Sequence, residues 1–250
     1  MAGATLPGRL SWALAEVVET IVETPMTKSL VLSVPGWVGH RAGQHIDVRL
    51  TAEDGYQAER SYSIASAPDG ERLELTVERL PDGEVSPYLT DELRVGDRLE
   101  LRGPIGGYFT WDVPDGGPLL LVAGGSGVVP LMAMIRRRAA AGSDVPVRLL
   151  FSSRSFEEII YGAELGQLAV ASPTLEVTHT LTRSQPPGWT GYRRRIDEAM
   201  LAEVAWTLSE RPLVYTCGPT RLVESVASTL TALGHEPARI RTERFGPTGG

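Results

Sequence analysis

The hydrophobic period of this chain changes once, at Pro114-Asp115-Gly116-Gly117-Pro118, and that change limits the fold more than any other feature. Before it, short β-branched stretches alternate with turn signals. Residues 28–34 half-alternate and are stopped by Pro35-Gly36, and further strands are predicted over 45–50, 60–65, 72–79 and 97–102. Asp54-Gly55, Pro68-Asp69-Gly70, Pro81-Asp82-Gly83 and Gly103-Pro104 separate them, and residues 86–93 suit a short helix. Short strands spaced this closely predict a small antiparallel barrel. After the change, Leu119-Leu120-Leu121-Val122-Ala123 is the continuous apolar run of a strand buried on both faces. Helices are predicted over 129–141, 163–171, 197–208 and 220–233, and strands over 147–151, 175–181, 213–216 and 240–245. The expected fold is two-domain, an antiparallel β-barrel over residues 1–113 followed by an α/β domain over 114–250. The second should hold about five parallel strands, with ligands beyond their carboxyl ends.

Composition narrows the function classes. The net charge of −7 opposes a general nucleic-acid binder, which needs a basic face, although Arg136-Arg137-Arg138 and Arg193-Arg194-Arg195 are locally basic. No apolar run reaches bilayer length and the N-terminus lacks a basic-then-apolar leader, so a cytoplasmic protein with no membrane partner is expected. The single cysteine, Cys217, forbids an internal disulfide, a multi-thiolate zinc site and a four-cysteine iron–sulfur cluster within these residues. His40, His45, His179 and His235 have no close metal-ligand spacing, so no metal site is expected.

Three motifs carry the chemistry. Gly124-Gly125-Ser126-Gly127-Val128-Val129-Pro130 lies between a buried strand and a helix, where free N–H groups and the helix dipole favour an anion. On its own this is equally a tight turn. It lacks the Lys of a Walker loop and has Val128 where a nucleophile elbow needs glycine. In Arg60-Ser61-Tyr62-Ser63, alternation puts Arg60 and Tyr62 on one face, a guanidinium beside a flat ring; a strand end or bend is needed to bring Ser63 there. Its plain alternative is an exposed barrel strand. Cys217-Gly218-Pro219 follows a late strand, and Cys217 alone could be just a small buried hydrophobe.

Their joint order and spacing resemble the ferredoxin–NADP reductase superfamily of flavoproteins over nearly the whole chain. The resemblance implies a flavin-binding barrel followed by a Rossmann-like NAD(P) domain. It implies that Arg60 holds a flavin pyrophosphate, that Tyr62 packs beside the ribityl chain and ring, and that Ser63 lies near the reactive ring nitrogen. Gly83-Glu84-Val85-Ser86 matches a second element whose N–H groups grip the flavin phosphates, and Ser86 also suits a helix N-cap. Gly124, Gly125, Ser126 and Gly127 would take the nicotinamide dinucleotide, and Cys217, Gly218 and Pro219 would orient its ring. Thr242-Glu243-Arg244-Phe245 is similar to a terminal Glu-x-aromatic, with Phe245 covering the flavin or packing as a last core aromatic, loosened by residues 246–250. Ser63, Cys217 and Glu243 are the residues expected at the reacting atoms.

The same resemblance implies a redox enzyme that takes a hydride from NADPH, with NADH as the alternative, onto FAD rather than FMN. Ser153-Arg154 and Thr182-Arg183 follow strands expected to flank the adenosine ribose and resemble NADPH-using members. Because relatives continue into a fused iron–sulfur domain, the expected acceptor is a separate protein, with a ferredoxin first and a haem, molybdenum or oxygenase partner behind it. A free-flavin or ferric reductase and a non-catalytic redox-sensing subunit are the competing readings.

Overall fold

The structure, a computed structural model, describes residues 10–68 and 72–245. The turn at Asp69-Gly70 and the 246–250 tail lie outside them. Six strands form the first sheet: β1 (Ala13–Thr24), β2 (Thr27–Ser33), β3 (His45–Thr51), β4 (Gln57–Ser63), β5 (Arg72–Glu78) and β6 (Arg98–Ile105). Their order is β4-β3-β6-β1-β2-β5, and every pair is antiparallel. Ile64, just beyond β4, bridges to Leu75 of β5 and brings the two edges together, as a barrel requires. Leu30, Leu32, Ile46, Val48, Leu73, Leu75 and Leu101 fill the interior, and Val85, Leu89 and Leu93 join the same core.

Two local expectations, the stop at Gly103-Pro104 and the cap at Ser86, are corrected, and one strand goes unpredicted. β1 escapes a period-two reading because its register on β2 shifts between Val17 and Glu19 and again between Val22 and Thr24. Gly103-Pro104 does not end β6; the register against β3 shifts there, which tolerates a proline without an N–H. A Cβ on Gly103 would lie 2.6 Å from Ile46 Cγ2, so glycine is needed for the close approach. The helix expected over 86–93 forms: Leu89 N–H donates to Val85 O at 3.1 Å in its first turn, and it widens to a π turn over Tyr88–Glu92, where Leu93 N–H donates to Tyr88 O at 3.0 Å. Ser86 Oγ does not cap it but accepts from Leu80 N–H at 3.0 Å.

The second half builds β7 (Leu119–Gly124), α1 (Val128–Ala140), β8 (Val147–Ser153), α2 (Gly162–Ala171), β9 (Leu175–Leu181), α3 (Glu198–Val204), β10 (Leu213–Pro219), α4 (Thr220–Ala232) and β11 (Ile240–Phe245). All five strands are parallel, in the order β9-β8-β7-β10-β11. Leu119, Leu121 and Ala123 of β7 face α1, while Leu120 and Val122 face α3 and α4. α3 starts where Asp197 accepts from Met200 N–H at 2.9 Å, and it ends four residues before the predicted stop. Ala205 turns extended there, and the Trp206 indole donates to Leu119 O at 2.8 Å with the Arg148 guanidinium 3.9 Å from its ring centre.

The two halves share a core. Ala42, Ala65, Phe109 and Trp111 from the first half pack among the buried residues of β7, β8, β10 and α1. The Trp111 indole donates to Gly116 O at 2.9 Å, and Tyr215 OH donates to Thr110 O at 2.9 Å. Arg136-Arg137-Arg138 is not a basic surface. Arg138 is buried and donates to Val145 O, and Arg136 is held by Glu74 and Glu164. Among the described residues no helix is long and apolar enough to cross a membrane.

Candidate functional site

The strand order reverses between β7 and β10, so a crevice opens beyond their carboxyl ends. The 124–127 segment leaves β7 and tightens into a 3-10 turn over Gly125–Gly127 that feeds α1. A Cβ on Gly127 would stand 2.2 Å from Cys217 O, and one on Gly218, at φ +150°, would stand 3.0 Å from Gly124 O. The loop and the end of β10 therefore touch backbone to backbone, which puts the Cys217 carbonyl against the loop that leads into α1.

Cys217 is fully buried. Burial raises its thiol pKa well above the usual value, and the Glu243 carboxyl adds to the rise, so it stays a neutral thiol rather than a nucleophile. Glu243 on β11 pairs in register with Cys217. Burial pushes the Glu243 pKa up to about 7, and the Ser63 hydroxyl pulls it back. Ser63, at the end of β4, is 5% exposed, and its Oγ has no hydrogen-bond partner within normal geometry although Glu243 is near enough to feel it. Residues from β4, β10 and β11 thus meet at the crevice, and one of them holds a buried hydroxyl with an unmet bond.

Away from the crevice, β4 presents Arg60 and Tyr62. Burial raises the Tyr62 phenol, opposed by the Arg60 charge. Arg60 Nη2 is 2.7 Å from Glu84 Oε2, and Tyr56 OH donates to Glu84 Oε1 at 3.0 Å. The structure thereby joins the Arg-x-Tyr-Ser strand to the 83–86 turn through two side chains, Glu84 and Tyr56. Sequence reasoning assigned Glu84 only a backbone role and passed over Tyr56, an exposed aromatic next to a glycine turn. Val85 packs in the barrel core, and a Cβ on Gly83 would crowd Leu80 O at 3.2 Å.

The ends of β8 and β9 are stitched together. Thr182 N–H donates to Ser153 O at 3.0 Å and Arg183 N–H to Arg154 O at 2.9 Å, so exposed Arg154 and Arg183 stand side by side. Ser153 Oγ is buried without a partner. The second arginine triplet contributes less here: Arg194 pairs with Asp197 and Arg193 donates to Trp189 O. Phe245 lies opposite Pro219 in register and packs, half-buried, on the shared core. A cavity of about 450 Å³ lined by Arg148, Glu176, Tyr192 and Glu203 lies beside β8 and β9 and includes none of these residues.

A barrel and a doubly wound parallel sheet meeting at such a crevice define a class, the oxidoreductases that pair a flavin domain with a nicotinamide-nucleotide domain. Family models agree: the oxidoreductase FAD-binding domain matches residues 15–110 and the oxidoreductase NAD-binding domain residues 121–228. The chain is 37% identical over 211 residues to ferredoxin–NADP reductase B of Sorangium cellulosum, covering 82% of this chain and 84% of that one. It is 33% identical over 211 residues to the glycine betaine monooxygenase reductase subunit of Chromohalobacter salexigens, covering 83% of this chain but 56% of the relative. It therefore spans little more than half of that relative's length. The flavohaem-like FAD/NAD-binding domain of a Vibrio cholerae nitric oxide dioxygenase superposes with a TM-score of 0.85 at 27% identity, covering 94% of this chain and 99% of that one. The chain belongs to the ferredoxin–NADP reductase superfamily, whose members are NAD(P)H-dependent flavoprotein oxidoreductases. It carries sites for FAD and for a pyridine nucleotide.

Proposed function

We propose that this chain oxidises NADPH through bound FAD and passes the electrons singly to a separate redox protein, a ferredoxin first. The reading rests on one observation above all: Ser63, Cys217 and Glu243 converge from two sheets at the switch point. The division falls at residues 113 and 114, and the cytoplasm is the compartment. The residues present fit both cofactors, since Ser63 and Ser153 hold buried hydroxyls without partners and the 124–127 loop has no room for side chains toward β10. When bound, flavin takes two electrons from reduced nicotinamide and can give them up one at a time.

Arg60 and the N–H groups of Glu84, Val85 and Ser86 hold the flavin phosphates, and Arg60 must exchange Glu84 for them. Gly83 shapes the turn instead, because its own N–H donates to Leu80 O at 2.9 Å. Tyr62 packs against the flavin, and Ser63 offers its hydroxyl to the ring. Gly124, Gly125, Ser126 and Gly127 receive the dinucleotide, Gly218 and Pro219 shape the approach, and Cys217 orients the nicotinamide as a neutral thiol. Glu243 holds or releases a proton near neutral pH beside Ser63. Phe245 screens the flavin face. Ser153, Arg154, Thr182 and Arg183 grip the 2′-phosphate of NADPH. The names of the Sorangium and Chromohalobacter relatives support a protein acceptor.

The purified yellow protein should be bleached anaerobically by NADPH faster than by NADH, and should then reduce a ferredoxin. Arg183→Ala should raise the KM for NADPH roughly 10- to 100-fold, as loss of a charged hydrogen bond does, and leave NADH nearly untouched. The comparison is made at fixed ionic strength because the contact is electrostatic. A wild type that prefers NADH, or an equal loss with both, removes the NADPH assignment. Reduction of free flavin or ferric salts alone removes the ferredoxin.

A further inference from the structure

Arg136 lies on α1, the helix that begins at the 124–127 loop, yet its guanidinium reaches into the barrel. Its side chain is 17% exposed. It donates to Glu164 at 2.8 and 2.6 Å, to Glu74 at 2.7 Å and to Ala65 O at 3.0 Å. Ala65 follows Ser63 by two residues, and its own N–H bonds Glu74 O at 2.8 Å, while Glu74 N–H donates to Ser66 Oγ at 3.1 Å. One side chain therefore ties the place where β4 closes on β5 to the helix headed by the nucleotide loop.

A second contact reinforces it. Tyr161, just before α2, takes a left-handed backbone at φ +58°, an uncommon state for a bulky residue. That conformation sends its buried phenol to donate to Thr76 Oγ1 on β5, and Thr76 shares a 2.7 Å bond with Ser29 on β2. The Tyr161 ring lies 4.9 Å from the Arg136 guanidinium. The remaining contact between the halves includes the apolar packing around Phe109 and Trp111, which resists separation but is tolerant of small sliding. Charged, directional bonds to a carbonyl and two carboxylates are not.

We propose that Arg136 is a positioning residue for hydride transfer: it sets the distance between the flavin-bearing end of β4 and the nicotinamide-bearing crevice without touching either cofactor. The proposal rests on the flavin–nicotinamide reading above. Reacting atoms must lie about 3–3.5 Å apart, and a misplacement of about 1 Å costs on the order of 100-fold in rate.

The test uses the holoprotein with Arg136→Met, Arg136→Lys, Glu74→Gln and the Arg136→Met/Glu74→Gln pair. Flavin affinity and NADP⁺ affinity, both measured without turnover, should stay within about two-fold, while the limiting rate of flavin reduction by NADPH falls roughly 10- to 100-fold in Arg136→Met. Lysine should recover only part of that rate, since one ammonium cannot serve three partners in a plane. The pair should lose no more than Arg136→Met alone. In the flavin-free protein, amide exchange at Ala65 and Glu74 should quicken in Arg136→Met while β2 stays protected. An unchanged reduction rate overturns the proposal, and so does a loss explained by poorer flavin or nucleotide binding. Should Arg136→Met not fold, Glu74→Gln decides by the same two criteria, with a smaller loss expected. A wild type that neither nucleotide reduces counts against the functional reading, and the exchange measurement then decides the coupling by itself.

Discussion

Glu243 sits where its own charge is disfavoured, and this has a consequence for stability. An unfolded chain ionises it near the ordinary value of 4.5, the folded one near 7, chiefly because of burial. Between those values the native state holds the extra proton, so stability falls as pH rises through the window and levels off above it. The full shift corresponds to roughly 3 kcal/mol, an upper bound because the side chain is only half-buried. Flavin-free Glu243→Gln should therefore gain stability over wild type at pH 8 and lose that gain by pH 5, as urea unfolding at the two pH values would show. The same gain at both would mean that the carboxyl titrates normally. Arg60 presents the opposite case, an exposed guanidinium already paired with Glu84. Arg60→Ala should weaken flavin binding roughly 10- to 100-fold, the worth of a charge-assisted pair, and flavin titration would measure it. Unchanged flavin content would end the phosphate role. The motif spelling exposed Arg60 in the sequence, but not that Glu84, itself held by Tyr56, would occupy it, since that ion pair and hydrogen bond reach a segment more than twenty residues on.

At the scale of elements, the strand–loop–helix unit from β7 to α1 depends on backbone contact. A Cβ at residue 127 would meet Cys217 O at 2.2 Å and Gly218 Cα at 2.7 Å, and neither atom can rotate aside. Gly127→Ala must push the loop away from β10; a loss of about 2–4 kcal/mol and of nucleotide binding is expected, within the range of severe backbone clashes. Gly166→Ala is the control, a helical glycine with open space around it, and should gain about 0.5–1 kcal/mol. Thermal unfolding and NADP⁺ titration of both variants check the contrast, and a neutral Gly127→Ala would refute the contact. The strand–helix alternation of this half was legible because buried parallel strands read as unbroken apolar runs. β1 was not, because two bulges shift its alternation out of phase. α3 was read too long, because Trp206 continues the apolar pattern while its indole serves Leu119.

The molecule as a whole holds its two sheets through one shared core. Trp111 belongs to the segment leaving the barrel, yet it packs among residues of the parallel sheet. Trp111→Ala should cost about 3–5 kcal/mol, the usual loss for a buried aromatic. Because both halves lean on it, calorimetry should show one transition moved down, not one of two. Two separate transitions, with the barrel's unmoved, would mean that the sheets unfold independently.

Local pattern determined much of this protein: two fold types in succession, the change near residues 114–118, and the three motifs with their order. Those features arise from side-chain period and from turn and loop chemistry, which act over a few residues. The family resemblance already grouped Ser63, Cys217 and Glu243; tertiary structure alone decided that Arg136, Arg137 and Arg138 are engaged by Glu74, Asp112 and Val145 O, and that Arg136 joins helix to barrel. Each of these depends on pairs distant in sequence, whose meeting is set by strand order and by which buried charges find partners, and no local period carries that information.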